Sequence, residues 1–330
     1  MLHKLKILLY AFCYFSGIVG IFYYFTKRNQ LILTYHNVLS DEDFDHSLHL
    51  GVSCNASAFS RQINIVKKYF TVTTELGKPG SCVITFDDGF KNNVTVAEKL
   101  LANEDIKAII FVPLKNFQQQ KTLWVDEVIK WLSYVPVGNY QLLGEDYCIK
   151  NESNRRGLWQ AIWDSCKSNK NLQDCIVDQL NSQYPFSELE ISASLLKNRF
   201  SMLNKNDIDR LKSRGHKIGC HSVSHHILSS LDEEQLKSDF SVCEKEIDRL
   251  YNTNIYSYPF GGKDEVSSVV VERCKESRFS AGLMNYRCTP SQYSLPRISL
   301  PNTKNKYEIH AYLSGLKYFL DDMRQGFKAA

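Results

Sequence analysis

The stretch that most constrains this chain is Cys82-Val83-Ile84-Thr85-Phe86-Asp87-Asp88-Gly89-Phe90, a short apolar run that ends abruptly in two carboxylates and a glycine. Val83, Ile84 and Phe86 suit a strand covered on both faces, as in a parallel sheet. Gly89 permits a tight turn that leaves both Asp side chains beyond the strand's end. Taken alone, Asp-Asp-Gly also suits a plain strand stop, because these are common turn residues.

A second cluster changes that balance. His221-Ser222-Val223-Ser224-His225-His226 follows another strand-like run, Lys217-Ile218-Gly219-Cys220. Imidazoles four residues apart, His221 and His225, can share one face of a helical turn and reach one metal. One carboxylate and two neutral nitrogens make the ligand set of a catalytic metal site with open positions for water and substrate. The other Asp is then free to act as a base. His216 and His226 are left as structural or rim residues.

The pairing of Thr85-Phe86-Asp87-Asp88-Gly89 with His221-Ser222-Val223-Ser224-His225 resembles the polysaccharide deacetylase family, carbohydrate esterase family four. A third motif follows at Tyr258-Pro259-Phe260-Gly261, and the likeness runs from about Leu31 to Leu300. The resemblance implies an irregular (β/α) barrel and metal-dependent removal of N-acetyl groups from amino sugars. It implies a divalent metal, zinc ahead of other transition metals, on Asp88, His221 and His225, with Asp87 as base. It also implies an oxyanion donor in the Tyr258, Pro259 and Phe260 loop, at the Phe260 N–H. Most family members carry a late Leu-x-Ile-x-His acid, and circularly permuted members carry the equivalent strand early. Ile32-x-Thr34-x-His36 looks like that early version, and strand alternation puts Ile32, Thr34 and His36 on one face. His36 is therefore the expected acid. The family's Arg two residues before the proline is here Ser257, so Arg297, in Leu295-Pro296-Arg297-Ile298, is expected to orient Asp87.

From Ile7 to Phe25 nineteen residues carry no formal charge. As one helix this run would span about 28 Å, close to the hydrocarbon thickness of a bilayer. Residues 1–28 are thus expected as a transmembrane anchor, with a signal peptide as runner-up; no Ala-x-Ala pattern closes the run. The catalytic part, expected on the extracytoplasmic side of the membrane, is assigned to 29–320 and a tail to 321–330.

Between these ends, Phe59, Ile63, Val66 and Phe70 space an amphipathic helix, and Ala108–Pro113 reads as another strand, so strands alternate with helices in the manner of a parallel β/α fold. Its active residues should lie at the carboxyl ends of the strands. Asp41 to Leu50 reads as a loop. About 116–198 reads as a helical insertion, serving as packing and a rim over the groove. Basic residues exceed acidic ones by only four (40 against 36), and no phosphate-cradling Gly loop followed by Lys is present. An N-acetylated glycan is the expected partner, with neither nucleic acid nor nucleotide. The rival readings are a membrane-tethered glycan-binding protein without turnover, suggested by the missing Arg, and a deformylase or O-deacetylase acting on a lipid-linked sugar.

Overall fold

A computed structural model describes residues 2–45 and 53–329. Eight short parallel strands form its centre: β1 (Leu31–Tyr35), β2 (Ser81–Phe86), β3 (Ile109–Val112), β4 (Lys217–Cys220), β5 (Ile255–Ser257), β6 (Ala281–Met284), β7 (Leu295–Pro296) and β8 (Ile298–Ser299). Their order is β7-β6-β5-β4-β3-β2-β1-β8. Only Arg297 separates β7 from β8 in sequence, yet the two strands pair with opposite ends of the curved sheet. The sheet is thus nearly closed into a barrel, and Arg297 sits at the seam. Every residue of β2 is buried, which is why its sequence reads as a continuous apolar run rather than an alternation.

Register carries the site. Leu31 to Tyr35 lie opposite Cys82 to Phe86, and the Asp87 N–H donates to the Tyr35 carbonyl at 2.9 Å, so His36 and Asp87 emerge side by side. Lys217 to Cys220 pair with Ile109 to Val112, and the His221 N–H donates to the Val112 carbonyl at 3.2 Å. The functional side chains therefore gather at one end of the barrel, the carboxyl end of its strands.

The expected membrane-spanning helix is corrected by the structure. The apolar run forms two helices, α1 (Leu2–Phe15) and α2 (Ile18–Thr26), bent by 80° at a break where Gly17 adopts a left-handed φ of 83°. No single helix is long and apolar enough to cross a membrane, although the bent pair passes that test by length and composition together. One face of the pair is core: Tyr10, Cys13, Val19 and Tyr23 are buried. Tyr23 Oη lies 2.9 Å from His310 Nδ1 on the helix Lys306–Leu313, and Thr26 Oγ1 donates to the Ser314 carbonyl at 2.6 Å. The other face exposes Leu8, Phe12, Phe15, Ile21 and Tyr24.

Three other expectations shift. Residues 321–329, read as a tail, continue the helix Leu316–Ala329. Of the expected loop Asp41–Leu50, Asp41–Asp45 forms a short helix, and 46–50 lie outside the described residues. The stretch 116–198 holds α3 (Trp124–Tyr134), α4 (Glu152–Lys167) and α5 (Lys170–Gln183), but also an antiparallel hairpin, Gly138–Leu142 with Glu145–Ile149. Leu143 and Gly144 both take positive φ at its turn, the geometry a tight two-residue hairpin connection needs. This layer has an apolar core of its own around Val128, Trp131, Leu132, Ile162 and Ile176.

Candidate active site

Asp88, His221 and His225 converge. One ligand atom from each lies within 4.8 Å of the others, and all three residues are buried. His221 Nε2 and His225 Nε2 approach Asp88 Oδ1 to 3.2 and 3.1 Å. Asp88 Oδ1 and His221 Nε2 are buried without a hydrogen bond. Donor atoms that face one another without bonding are what a site shaped for a cation presents. The other His221 nitrogen, Nδ1, is 2.7 Å from the Ser257 carbonyl. A proton on Nδ1 leaves Nε2 as the free donor.

The local backbone explains how two His on one loop meet. Residues 221–227 are not helical, contrary to the helical-turn reading; Ser222 and His225 both have left-handed φ, 63° and 55°. The His225 N–H donates to Ser222 Oγ at 3.0 Å, and the two rings come to 4.9 Å between centroids. Asp88 and Phe260 are left-handed as well, at 73° and 60°. Strained backbone at four positions of one site is held by the fold around it. Beside them Gly89 has φ +68°, and a Cβ there would meet Val112 Cγ1 at 3.2 Å.

Asp87 is fully buried and bound twice by Arg297, Nη1 to Oδ1 at 2.8 Å and Nη2 to Oδ2 at 2.5 Å. Arg297 Nη1 also donates to Thr85 Oγ1 at 3.1 Å. Burial opposes ionisation of Asp87, but the guanidinium, helped by His221 and His36, outweighs it and lowers the carboxyl to about 2. Asp88 is also buried, and nearby His36, His221 and His225 hold it well below the usual carboxylate range. His36 Nε2 stands 3.8 Å from Asp87 Oδ2.

The family model described as polysaccharide deacetylase matches residues 175–275, a stretch that includes His221, His225 and the Tyr258–Gly261 loop. Over that stretch the chain is similar to the polysaccharide deacetylase family. Among solved structures, the chain is similar to the Streptococcus pyogenes deacetylase PplD in complex with acetate, at 15% identity and a TM-score of 0.51 over 83% of this chain and 92% of that one. It is also similar to the putative polysaccharide deacetylase BA0330 from Bacillus anthracis (14%, TM-score 0.49, 86% and 68%) and to IcaB from Ammonifex degensii (15%, 0.47, 87% and 97%). At these identities the PplD match speaks to the barrel fold. No curated protein sequence matches the chain.

Within this barrel, the residues expected from sequence are brought together with two exceptions, both in one loop. Tyr258 is turned into the core, where its hydroxyl donates to the Tyr293 carbonyl at 2.9 Å, and Pro259 is buried beside it. Phe260 alone of that loop lines the cavity. The next residue, Gly261, has φ +64°, and a Cβ there would sit 2.7 Å from the Asn285 backbone nitrogen, so the loop closes only with glycine. Two residues were missed. Ser257 donates to Asp87 Oδ1 at 3.1 Å, filling part of the place the family's Arg leaves; its position two before Pro259 was the available signal. Asp126, from α3, lines the same cavity of about 310 Å³ as His36, Asp88, His225, Trp159 and Trp163. No spacing in the sequence pointed to it.

Proposed function

We propose that the chain is a metal-dependent hydrolase that removes N-acetyl groups from amino sugars of a polysaccharide or lipid-linked glycan. The observation that carries this is a buried carboxylate, Asp87, kept ionised by Arg297 directly beside the convergent Asp88–His221–His225 set. Asp88, His221 and His225 would hold the ion, and an oxygen-and-imidazole donor set fits zinc; once bound, such an ion supplies Lewis acidity to an acetyl oxygen and to water.

The chain's own groups take the remaining roles. Asp87 accepts a proton from the attacking water, and Arg297 with Ser257 fixes its orientation. The Phe260 N–H, which makes no hydrogen bond among the described residues, donates to the oxygen that becomes negative as the amide carbon turns tetrahedral. His36 gives a proton to the departing amine as the C–N bond breaks. The bidentate Arg297 pair removes the motive for reading the chain as a glycan binder without turnover. The exposed apolar face of α1 and α2 supports contact with a membrane surface, which would suit a lipid-linked or envelope glycan.

The test is to measure both products. Incubated with N-acetylglucosamine oligomers, the full chain is expected to release acetate and new primary amine in equal amounts. Acetate without amine, from O-acetylated oligomers only, would replace the reading with ester hydrolysis, and formate from N-formyl sugars would replace the acyl group.

A further inference from the structure

The loop that carries His225 is held from two sides, and the second side is the 116–198 layer. Residues 221–227 leave β4 without regular structure, and Ser222 and His225 keep left-handed backbone, which a residue other than glycine adopts only where its surroundings fix it. The barrel fixes the first half of the loop. The Leu114 and Lys115 N–H groups, just beyond β3, donate to the Ser222 and Val223 carbonyls at 3.0 and 2.7 Å. The Val223 N–H donates to Asp239 Oδ2 at 3.0 Å, on the helix Glu233–Glu244.

The second half, which contains His225, is bound by side chains of the 116–198 layer. Trp124, the first residue of α3, donates its indole N–H to the His225 carbonyl at 3.0 Å. Gln173 on α5 is buried; its Oε1 accepts the Ile227 N–H at 3.0 Å, while its Nε2 donates to the Cys166 carbonyl at 2.8 Å and to Ser230 Oγ at 3.0 Å. His226 Nε2 lies 2.8 Å from Asp174 Oδ1, also on α5. The two rings of the metal set are fixed differently. His221 Nδ1 meets the Ser257 carbonyl, whereas His225 Nδ1 is buried without a hydrogen-bond partner. A ligating histidine is ordinarily oriented by a hydrogen bond at its other nitrogen. For His225 that work falls to its backbone and to the edge-on contact with Phe260 at 4.7 Å.

We propose that Trp124 and Gln173 are positioning residues through which the 116–198 layer sets His225 for metal binding, so that this layer completes the metal site as well as walling the cavity. This deepens the reading of Asp88, His221 and His225 as the metal set and rests on it. Without the indole N–H the buried His225 carbonyl is left unsatisfied, and without the Gln173 amide the Ile227 N–H is. The loop relieves that cost by turning toward other partners. Such a turn moves the His225 backbone, and with it a ring that has no hydrogen bond at Nδ1 to hold it back. Trp124 also stands 6.0 Å from Phe260 between ring centroids, so phenylalanine at that position keeps an aromatic neighbour and removes the donor.

The experiment measures zinc affinity of the full chain by competition with a chromophoric chelator, for the wild type, Trp124→Phe, Gln173→Met and, as a control, Trp131→Phe. Trp131 lies on the same helix, and its indole N–H donates to the Tyr184 carbonyl at 2.9 Å, a bond confined to the 116–198 layer. Trp124→Phe and Gln173→Met are each expected to weaken zinc binding by about tenfold or more, as loss of a partner behind a metal ligand does. Trp131→Phe is expected to lower the melting temperature while its zinc affinity stays within about threefold of the wild type, below that range. Wild-type affinity in either loop variant overturns the proposal. So does an equal loss in Trp131→Phe, because a weakened layer alone would then account for the effect. If the wild type itself binds no zinc, the metal reading falls, and amide hydrogen exchange of residues 221–227 decides the rest. Faster exchange there in Trp124→Phe than in both the wild type and Trp131→Phe upholds the hold of the layer on the loop; equal exchange overturns it.

Discussion

Asp87→Asn is expected to reduce acetate release by about 10²–10⁴-fold, the range a positioned general base contributes. The amide keeps the shape of the side chain and can still meet Ser257 and Arg297, but it has no charge with which to accept the water's proton. Asp88, His221 and His225 are untouched, so zinc binding is expected to persist, and titrating the variant with the ion separates loss of the base from loss of the fold. A variant that keeps more than a third of wild-type turnover contradicts the assignment. The change also leaves the Arg297 guanidinium buried without its counter-charge, so a lower melting temperature is expected alongside the lost activity.

Arg297→Met carries the second large effect, on stability and on pH dependence together. Removing one partner of a fully buried pair costs about 3–5 kcal/mol, because the remaining charge has lost its compensation. The sign with pH follows from Asp87. Its carboxyl is lowered to about 2 in the folded chain, so its contribution to stability is complete above the unfolded value near 4 and is lost as the pH falls toward 2. In Arg297→Met the largest opposing charge is gone, burial dominates, and the carboxyl rises. Melting curves of the two proteins should therefore differ most above the variant's raised carboxyl value and draw together as the pH falls through that value and on from 4 to 2. The acid limb of kcat/KM should move to higher pH in the variant, since the base must be ionised. Arg297→Lys is expected to recover part of the stability but less of the activity, since an ammonium cannot grip both carboxylate oxygens. Identical pH profiles for wild type and Arg297→Met would remove Arg297 from the account.

The parts of this site legible in the sequence are those whose chemistry is written locally. A strand covered on both faces must be apolar along its length, so Ser81–Phe86 and the carboxylates at its tip stand out. His221 and His225 were legible as a pair, although for the wrong geometric reason: the loop reaches the site through left-handed backbone at Ser222 and His225 rather than through a helical turn. Arg297 was legible only as a replacement for an absent residue, and its closure of the barrel seam is a property of strand order, which no local pattern encodes.

Asp126 was illegible because nothing distinguishes it from Glu127 until α3 packs over the barrel and buries one carboxylate but not the other. The apolar run at the start misled for a related reason. Length and hydropathy do not encode the 80° bend at Gly17, which turns the expected single helix into a pair with one face buried on its own domain.

The measurement that bears most directly on the whole account is acetate release by the full chain after its metal has been stripped with a chelator. The stripped protein is expected to be inactive on N-acetylglucosamine oligomers, and one equivalent of zinc is expected to restore release in the wild type but not in His225→Ala. Release that survives stripping, or that zinc restores equally in His225→Ala, would contradict the claim that Asp88, His221 and His225 form the catalytic metal site.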